Sequence, residues 1–335
     1  MNPVIATGHL MRCLSIAEAA VEMGEEITII SADEYPSSMV NEKGYHHIVL
    51  GTDWSDMNSE LPAMKKYIAD NAVKVLLIDS YQVTEEYLRE LNTVTKVFYI
   101  DDLNECICHV TGLINYACYA DDMKYDTEGT EYYKGCMYAP LRKMFRDCKP
   151  RIATKKPDRL LVMSGGSDPC DMIGRTLDAI RDNLPDRYSE MTFICGRYYE
   201  NPEELKRRAA KGGTDFEKRV NIISTVENMR EYLEKADVVI SAGGTTMYEV
   251  CAVGVPTISF LLADNQRYNV NWLNEHEIIP YAGDARTDAV EMNIVDILKR
   301  YDDIDTINGY SKRMQGLVDG LGAVRLATLL VDWGK

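Results

Sequence analysis

The sequence predicts an α/β chain built from two doubly wound parallel-sheet domains. Three observations predict it. Short β-rich runs alternate with amphipathic stretches from end to end, glycine-containing turns stand where strands hand over to helices, and a basic, proline-containing segment without apolar period divides the chain near its middle. Strand and helix in regular alternation require crossover connections, and crossovers make a sheet parallel.

In the first half the spacing predicts strands over Glu26–Ser31, Lys74–Asp79, Lys96–Asp101 and Gly112–Asn115, with helices over about His9–Met23, Glu60–Asn71 and Thr84–Leu91. In the second half it predicts strands over Arg159–Met163, Met191–Cys195, Val220–Ile223, Asp237–Ser241 and Pro256–Phe260. Helices are expected there over about Asp171–Asn183, Pro202–Ala210, Val226–Lys235 and Thr245–Val253. Between the halves, FRDCKPRIATKKPD at 145–158 has the composition of a linker. The expected domains are therefore 1–148 and 149–335, both Rossmann-like, facing a cleft between the C-terminal edges of their sheets, where such sheets bind ligands. From Asn293 onward the tail reads as further helices, the last a candidate for packing back across the boundary.

Composition excludes several function classes. The 335 residues carry 53 acidic against 37 basic side chains, a formal net charge of −16, so neither nucleic acid nor an anionic membrane is an expected partner. Any bound phosphate must be held by local donors. The longest uncharged apolar stretch, Val250–Ala263, contains Gly254 and Pro256 and is shorter than the ~18 residues of a membrane span. The start MNPVIATGHLMRC lacks the pattern of a secretory signal, so a cytoplasmic location is expected. Nine scattered cysteines suit reduced thiols; Cys106, Cys108 and His109 cluster, but no second pair stands at zinc spacing, and no metal or cofactor is expected.

Three glycine turns are candidates for chemistry: Ala6-Thr7-Gly8-His9, Ser164-Gly165-Gly166-Ser167-Asp168, and Ser241-Ala242-Gly243-Gly244-Thr245-Thr246. Glycine lets backbone approach a ligand, and amides at a helix N-terminus point at an anion, so a diphosphate can be held without lysine. None of the three matches a Walker loop or a GxGxxG fingerprint, which argues against nucleoside triphosphate hydrolysis and NAD chemistry. His9, at the start of a helix, is placed where the positive end of the dipole favours neutral imidazole, a competent base, although a histidine there also commonly just hydrogen-bonds locally. Asp79-Ser80-Tyr81 and Asp101-Asp102 end strands and are expected to point into the same crevice as His9, although strand-end acids also serve as helix caps. Glu249 can accept ribose hydroxyls or stand as an ordinary acid on a helix surface, and Asn265 with Gln266 suits a neutral polar ligand.

The segments GHLMRCLSIA, LLIDSY, FYIDDL, YAPLRKMF, SGGSDP, SAGGTTMYE, GVP and DNQ, in that order, resemble the PseG-like nucleotide-sugar hydrolases of pseudaminic acid biosynthesis, which are similar in fold to MurG-type GT-B glycosyltransferases. The resemblance spans about residues 5–330. It implies metal-independent, inverting hydrolysis of UDP-2,4-diacetamido-2,4,6-trideoxy-β-L-altropyranose to UDP and free sugar. It further implies that His9 is the general base, with Tyr81 and Asp79 supporting the sugar side. Gly8, Arg12, Gly165, Gly166 and Ser167 are implied at the substrate, Gly243, Gly244, Thr245 and Thr246 at the diphosphate, Glu249 at the ribose, and Asn265 with Gln266 at the sugar or diphosphate.

This sequence departs from that family in two places. The family opens with a full strand before IGTGH, whereas only Met1–Ile5 precedes Ala6 here, so the first sheet is expected to lack its innermost strand. Ala6 itself replaces a usual glycine. Two other readings stand beside the hydrolase: a GT-B glycosyltransferase using a UDP-sugar, in which His9 deprotonates an acceptor hydroxyl, and a UDP-sugar-binding protein with impaired catalysis. A monomer is expected, since no heptad or long apolar edge demands a partner.

Overall fold

The structure is a computed structural model that describes residues 8–105, 108–126, 129–166, 168–196, 199, 201–224 and 226–335. The expected truncated first strand, Ala6, Cys106 and Ser167 lie outside the described residues. The chain divides into two compact units, residues 1–146 with 320–335 and residues 147–319. The boundary expected at 148/149 therefore falls two residues earlier, and the final segment belongs with the first unit instead of the second.

The first unit runs α1 (Gly8–Glu22), β1 (Thr28–Ser31), α2 (Ser37–Glu42), β2 (His46–Val49), α3 (Leu61–Asp70), β3 (Val75–Ile78), α4 (Glu85–Asn92), β4 (Lys96–Ile100), β5 (Gly112–Asn115) and β6 (Glu131–Lys134). Strands β3-β4-β5-β6 form a parallel sheet in that order, and β1 pairs with β2 in a second parallel ladder. β4 and β5 are the dense apolar strands KVFYI and GLIN; all of β5 and the last four residues of β4 are buried. Leu88 and Leu91 of α4 and Met64 and Ile68 of α3 fill one face of that sheet, giving the apolar stripe at helical spacing its partner.

The second unit runs β7 (Arg159–Met163), α5 (Met172–Asn183), β8 (Glu190–Ile194), α6 (Pro202–Ala210), α7 (Thr214–Glu217), β9 (Val220–Ile223), α8 (Met229–Lys235), β10 (Val238–Ala242), α9 (Thr246–Val253), β11 (Thr257–Leu261), α10 (Arg267–Glu275), β12 (Tyr281–Asp284), α11 (Val290–Arg300) and α12 (Ile304–Leu317). Its sheet is parallel throughout, in the order β12-β11-β10-β7-β8-β9. β10 and β11 are buried along their whole length. A continuous core joins Leu160, Val162, Ile240 and Phe260 of the sheet to Met172, Leu177 and Ile180 of α5 and to Ile294 and Leu298 of α11.

The last helix, α13 (Gly322–Gly334), packs against α1 and β3 in the first unit. The stretch Ile304–Gly334 is long and apolar enough to cross a membrane by length and composition. It is broken between Leu317 and Gly322, and its halves α12 and α13 belong to different units.

Candidate functional site

In the first unit the site is built by α1 and by the residues that leave β3, β4 and β5. Helical spacing puts His9, Arg12 and Cys13 on one face of α1, one turn apart. That face meets Asp79, the first residue past β3, whose side chain is 1% exposed. His9 Nδ1 lies 2.5 Å from Asp79 Oδ1. Arg12 grips the same carboxylate with two donors, Nε on Oδ2 and Nη2 on Oδ1, while the Cys13 thiol approaches Oδ2 at 3.6 Å. The third nitrogen of Arg12, Nη1, donates to Tyr116 Oη at 2.5 Å.

Burial alone pushes the Asp79 carboxyl upward, but the charge and hydrogen bonds of Arg12, with the bond to His9, win and hold it well below the usual carboxylate range. An ionised carboxylate only accepts, so the proton of this contact sits on His9 Nδ1, which in the neutral ring leaves the lone pair on Nε2. Arg12 Nη2, 3.0 Å from Nδ1, is then a second donor on the same oxygen. The Asp79 contact thus fixes a tautomer, a feature that a helix-start position alone does not supply.

Around this pair stands a ring of tyrosines and acids. The Tyr81 ring meets the His9 ring edge-on at 4.6 Å, and its hydroxyl reaches Asp102 Oδ2 at 3.4 Å. Burial, reinforced by Asp102, pushes the Tyr81 phenol upward, and burial takes Tyr116 to about 12 against the opposing charge of Arg12. Asp102 Oδ2 also lies 3.6 Å from Arg12 Nη1, while its Oδ1 is buried without a hydrogen-bond partner among the described residues. Asp101 behaves differently from its neighbour: it is buried and accepts the backbone N–H groups of Leu103 and Asn104 at 2.9 and 3.1 Å, so it ties its own loop. A cavity of about 170 Å³ opens beside Tyr81, lined also by Val83, Tyr99, Asp101, Leu103 and Glu105.

In the second unit the strand order places the candidate residues. The chain leaves β7 toward β8 and β9 and returns through β10 on the other side of β7. β7 and β10 therefore flank the point where the order reverses, and doubly wound sheets bind ligands outside the strand ends at that point. Gly165 and Gly166 follow β7, and Gly243, Gly244, Thr245 and Thr246 lead from β10 into α9.

Each glycine there has a different reason to lack a side chain. Gly165 has φ +89°. A methyl on Gly243 would stand 2.0 Å from Val270 Cγ1, and its amide and carbonyl are already used, by Phe260 O at 2.9 Å and by Asn269 Nδ2 at 3.0 Å. Gly244 faces open space, with Gln266 Nε2 as its nearest neighbour at 3.8 Å from the methyl position. Gln266 is aimed there because its Oε1 accepts the Leu262 amide at 3.1 Å. Glu249 lies half-buried on the first turn of α9, and Asn265 is exposed on the turn after β11. This edge offers the main-chain amides of Gly244, Thr245 and Thr246 at a helix N-terminus, ahead of the Met247 and Tyr248 amides that bond back to Gly244 and Thr245, with a carboxylate and an amide beside them, an arrangement suited to an anion.

The expected residues thus gather at two edges: Gly8, His9, Arg12, Asp79 and Tyr81 in the first unit, and Gly165, Gly166, Gly243 to Thr246, Glu249, Asn265 and Gln266 in the second. Arg12, expected at the substrate, is 6% exposed and turns its nitrogens inward to Asp79 and Tyr116. Tyr116 escapes the sequence reading, yet it follows β5 as Asp79 follows β3, and the strand-end rule applied once more would reach it. Among the described residues no group of His, Cys, Asp and Glu is placed to hold a metal ion.

Residues 160–295 match the glycosyltransferase family 28 C-terminal domain. An uncharacterized protein of Methanocaldococcus jannaschii is 25% identical over 275 residues, 78% of this chain; the chain spans only 54% of that protein's length. The spore coat polysaccharide biosynthesis protein SpsG of Bacillus subtilis is 26% identical over 272 residues, covering 79% of this chain and 78% of SpsG. Among solved structures, Acinetobacter baumannii MurG superposes with a TM-score of 0.70 at 11% identity, over 98% of this chain and 97% of that one. A Medicago truncatula protein complexed with UDP-glucose superposes at 0.67 and 13% identity, over 98% and 96%. The chain has the GT-B glycosyltransferase fold with parallel-sheet α/β domains.

Proposed function

We propose that this chain is a nucleotide-sugar enzyme that moves the glycosyl group of a UDP-linked sugar onto a hydroxyl oxygen, in the biosynthesis of a polysaccharide or its sugar precursors. The observation that carries this reading is the 2.5 Å contact between His9 Nδ1 and the ionised Asp79 carboxylate, which leaves Nε2 as a base. In the reaction Nε2 takes the proton from the attacking hydroxyl as its oxygen bonds to the anomeric carbon, and the bond from that carbon to the diphosphate breaks. The electron pair departs on UDP, and one displacement inverts the centre. The backbone amides from Gly244 into α9 offset the charge that develops on the diphosphate, and Glu249 receives the ribose hydroxyls. The matched glycosyltransferase domain and the UDP-glucose complex of a GT-B neighbour support the nucleotide half of this reading, and SpsG supports the metabolic context.

The nucleophile distinguishes two forms of the enzyme. The glycosyltransferase domain supports an acceptor hydroxyl. The run of motifs GHLMRCLSIA, LLIDSY and FYIDDL in the first unit, shared with nucleotide-sugar hydrolases, favours water, with a diacetamido-trideoxy hexose as the sugar. Purified chain incubated with a panel of UDP-sugars tests both: UDP and free sugar appearing without acceptor identify the hydrolase, and UDP appearing only with an added acceptor identifies the transferase. Replacing His9 with Gln is expected to lower turnover by about 10² to 10⁴-fold with the melting temperature retained. Binding of UDP with no turnover under either condition would overturn the enzyme reading.

A further inference from the structure

We infer that Arg12, held by Tyr116, is a positioning residue that keeps the proton on His9 Nδ1 by keeping Asp79 ionised. This rests on the reading of His9 as the base. Asp79 meets His9, Arg12 and Cys13 from α1; around these stand Tyr81 against His9 and Asp102, Asp102 near Arg12, and Tyr116 bonded to Arg12. Of these groups only Arg12 is a permanent cation in contact with the carboxylate, and it contacts both oxygens. A carboxyl 1% exposed has little water to stabilise its charge, so without the guanidinium it takes up a proton or draws one onto the imidazole. In either state the imidazole is no longer neutral with its proton on Nδ1 and a lone pair at Nε2.

Tyr116 makes the grip rigid. Its oxygen accepts from Nη1 at 2.5 Å and its ring lies under the guanidinium at 5.4 Å, so the two remaining nitrogens are directed at Asp79. A side chain that met substrate would leave a donor uncommitted, whereas Arg12 is 6% exposed and its Nε, Nη1 and Nη2 all donate within the protein.

The test has one arm that needs no turnover. NMR of the histidine ring nitrogens in the full-length chain, with the His9 signal assigned by its loss in His9→Gln, is expected to show a neutral ring protonated at Nδ1 at neutral pH. In Arg12→Met that pattern is expected to disappear at neutral pH and return as pH is raised far enough to ionise Asp79. The same variant is expected to lose on the order of 10²-fold in kcat for UDP-sugar cleavage at neutral pH, with KM nearly unchanged and activity recovering at higher pH. Arg12→Lys, which keeps one charge but not the fork, and Tyr116→Phe are expected to show the same pH-dependent loss in smaller measure, and they carry the test if Arg12→Met fails to fold. A His9 signal unchanged in these variants, or a loss of kcat equal at every pH, would overturn the inference. Correct NMR patterns with no UDP-sugar cleavage by the unsubstituted chain would leave the positioning role standing and remove the proposed reaction instead.

Discussion

At the scale of single residues, the first unit concentrates its electrostatics on one buried carboxylate. Asp79 is held well below the ordinary aspartate value of 3.8 by Arg12 against the opposing effect of burial. A depressed carboxyl contributes stability that is fully present above its unfolded-state value and is lost as pH falls toward the folded-state one. Asp79→Asn leaves Arg12 buried with no countercharge on that side, so it is expected to melt well below the unsubstituted chain at neutral pH. The gap in melting temperature should start to narrow below about pH 4 as the unsubstituted chain loses its share; a gap constant from neutral to strongly acidic pH would refute the linkage. The sequence made part of this legible. His9 was readable from its place at a helix start and Asp79 from its place at a strand end. The direction of Arg12 was not, because a long side chain one turn from the base can reach outward to ligand or inward to a carboxylate, and only the inward partner on another element decides.

At the scale of elements, strands dense in apolar residues were readable, at the margins of their sheets (β1, β3, β9) as well as inside, and strands rich in polar residues were not. β4, β5, β10 and β11 are interior strands whose buried runs announce themselves. The sequences HHIV, EYYK and YAGD of β2, β6 and β12 carry polar residues, which a strand at the margin of its sheet tolerates, and among the described residues each pairs on one side only. Helix α10 went unread for a related reason: of its RYNVNWLNE only Asn269, Val270 and Leu273 are buried, and Asn269 spends its amide on Gly243 and Tyr248. That packing separates the two glycines after β10. Gly243→Ala drives a methyl into Val270 and is expected to destabilise by about 1 to 3 kcal/mol, with Val270→Ala restoring part of the loss. Gly244→Ala meets only Gln266 Nε2 at ordinary contact distance and is expected to keep the melting temperature, while weakening UDP binding if the diphosphate is held by this turn as proposed. Calorimetric titration with UDP and thermal melts on both variants check this; Gly244→Ala binding UDP as tightly as the unsubstituted chain would remove that turn from the nucleotide site.

At the scale of the whole molecule, the chain passes from the first unit to the second at Arg146–Asp147 and returns at Asp319–Gly320. The return is built into the backbone. Gly320, at φ +79°, lies so near the Phe145 carbonyl that a methyl would stand 2.1 Å from its oxygen, and a methyl on Gly322 would stand 2.1 Å from that of Ala139. At its far end α13 is pinned by Trp333, whose ring packs on Phe98 at 5.9 Å, lies under Lys96 Nζ at 5.3 Å and donates from Nε1 to Tyr133 Oη at 3.3 Å. Periodicity in GLGAVRLATLLVDWGK shows an apolar face but not which unit buries it, so the destination was not readable until the partner α1 was visible. Since α13 backs the helix that presents His9 and Arg12, its docking belongs to the chemistry as much as to stability. Gly322→Ala in the full chain, which must push α13 away from Ala139, is therefore expected to lower the melting temperature and reduce turnover, while UDP affinity, which the proposed function assigns to the second unit, stays within about two-fold. Equal losses in UDP affinity and turnover would show that the nucleotide edge also depends on this helix, and unchanged turnover would show that α1 holds His9 in place without it.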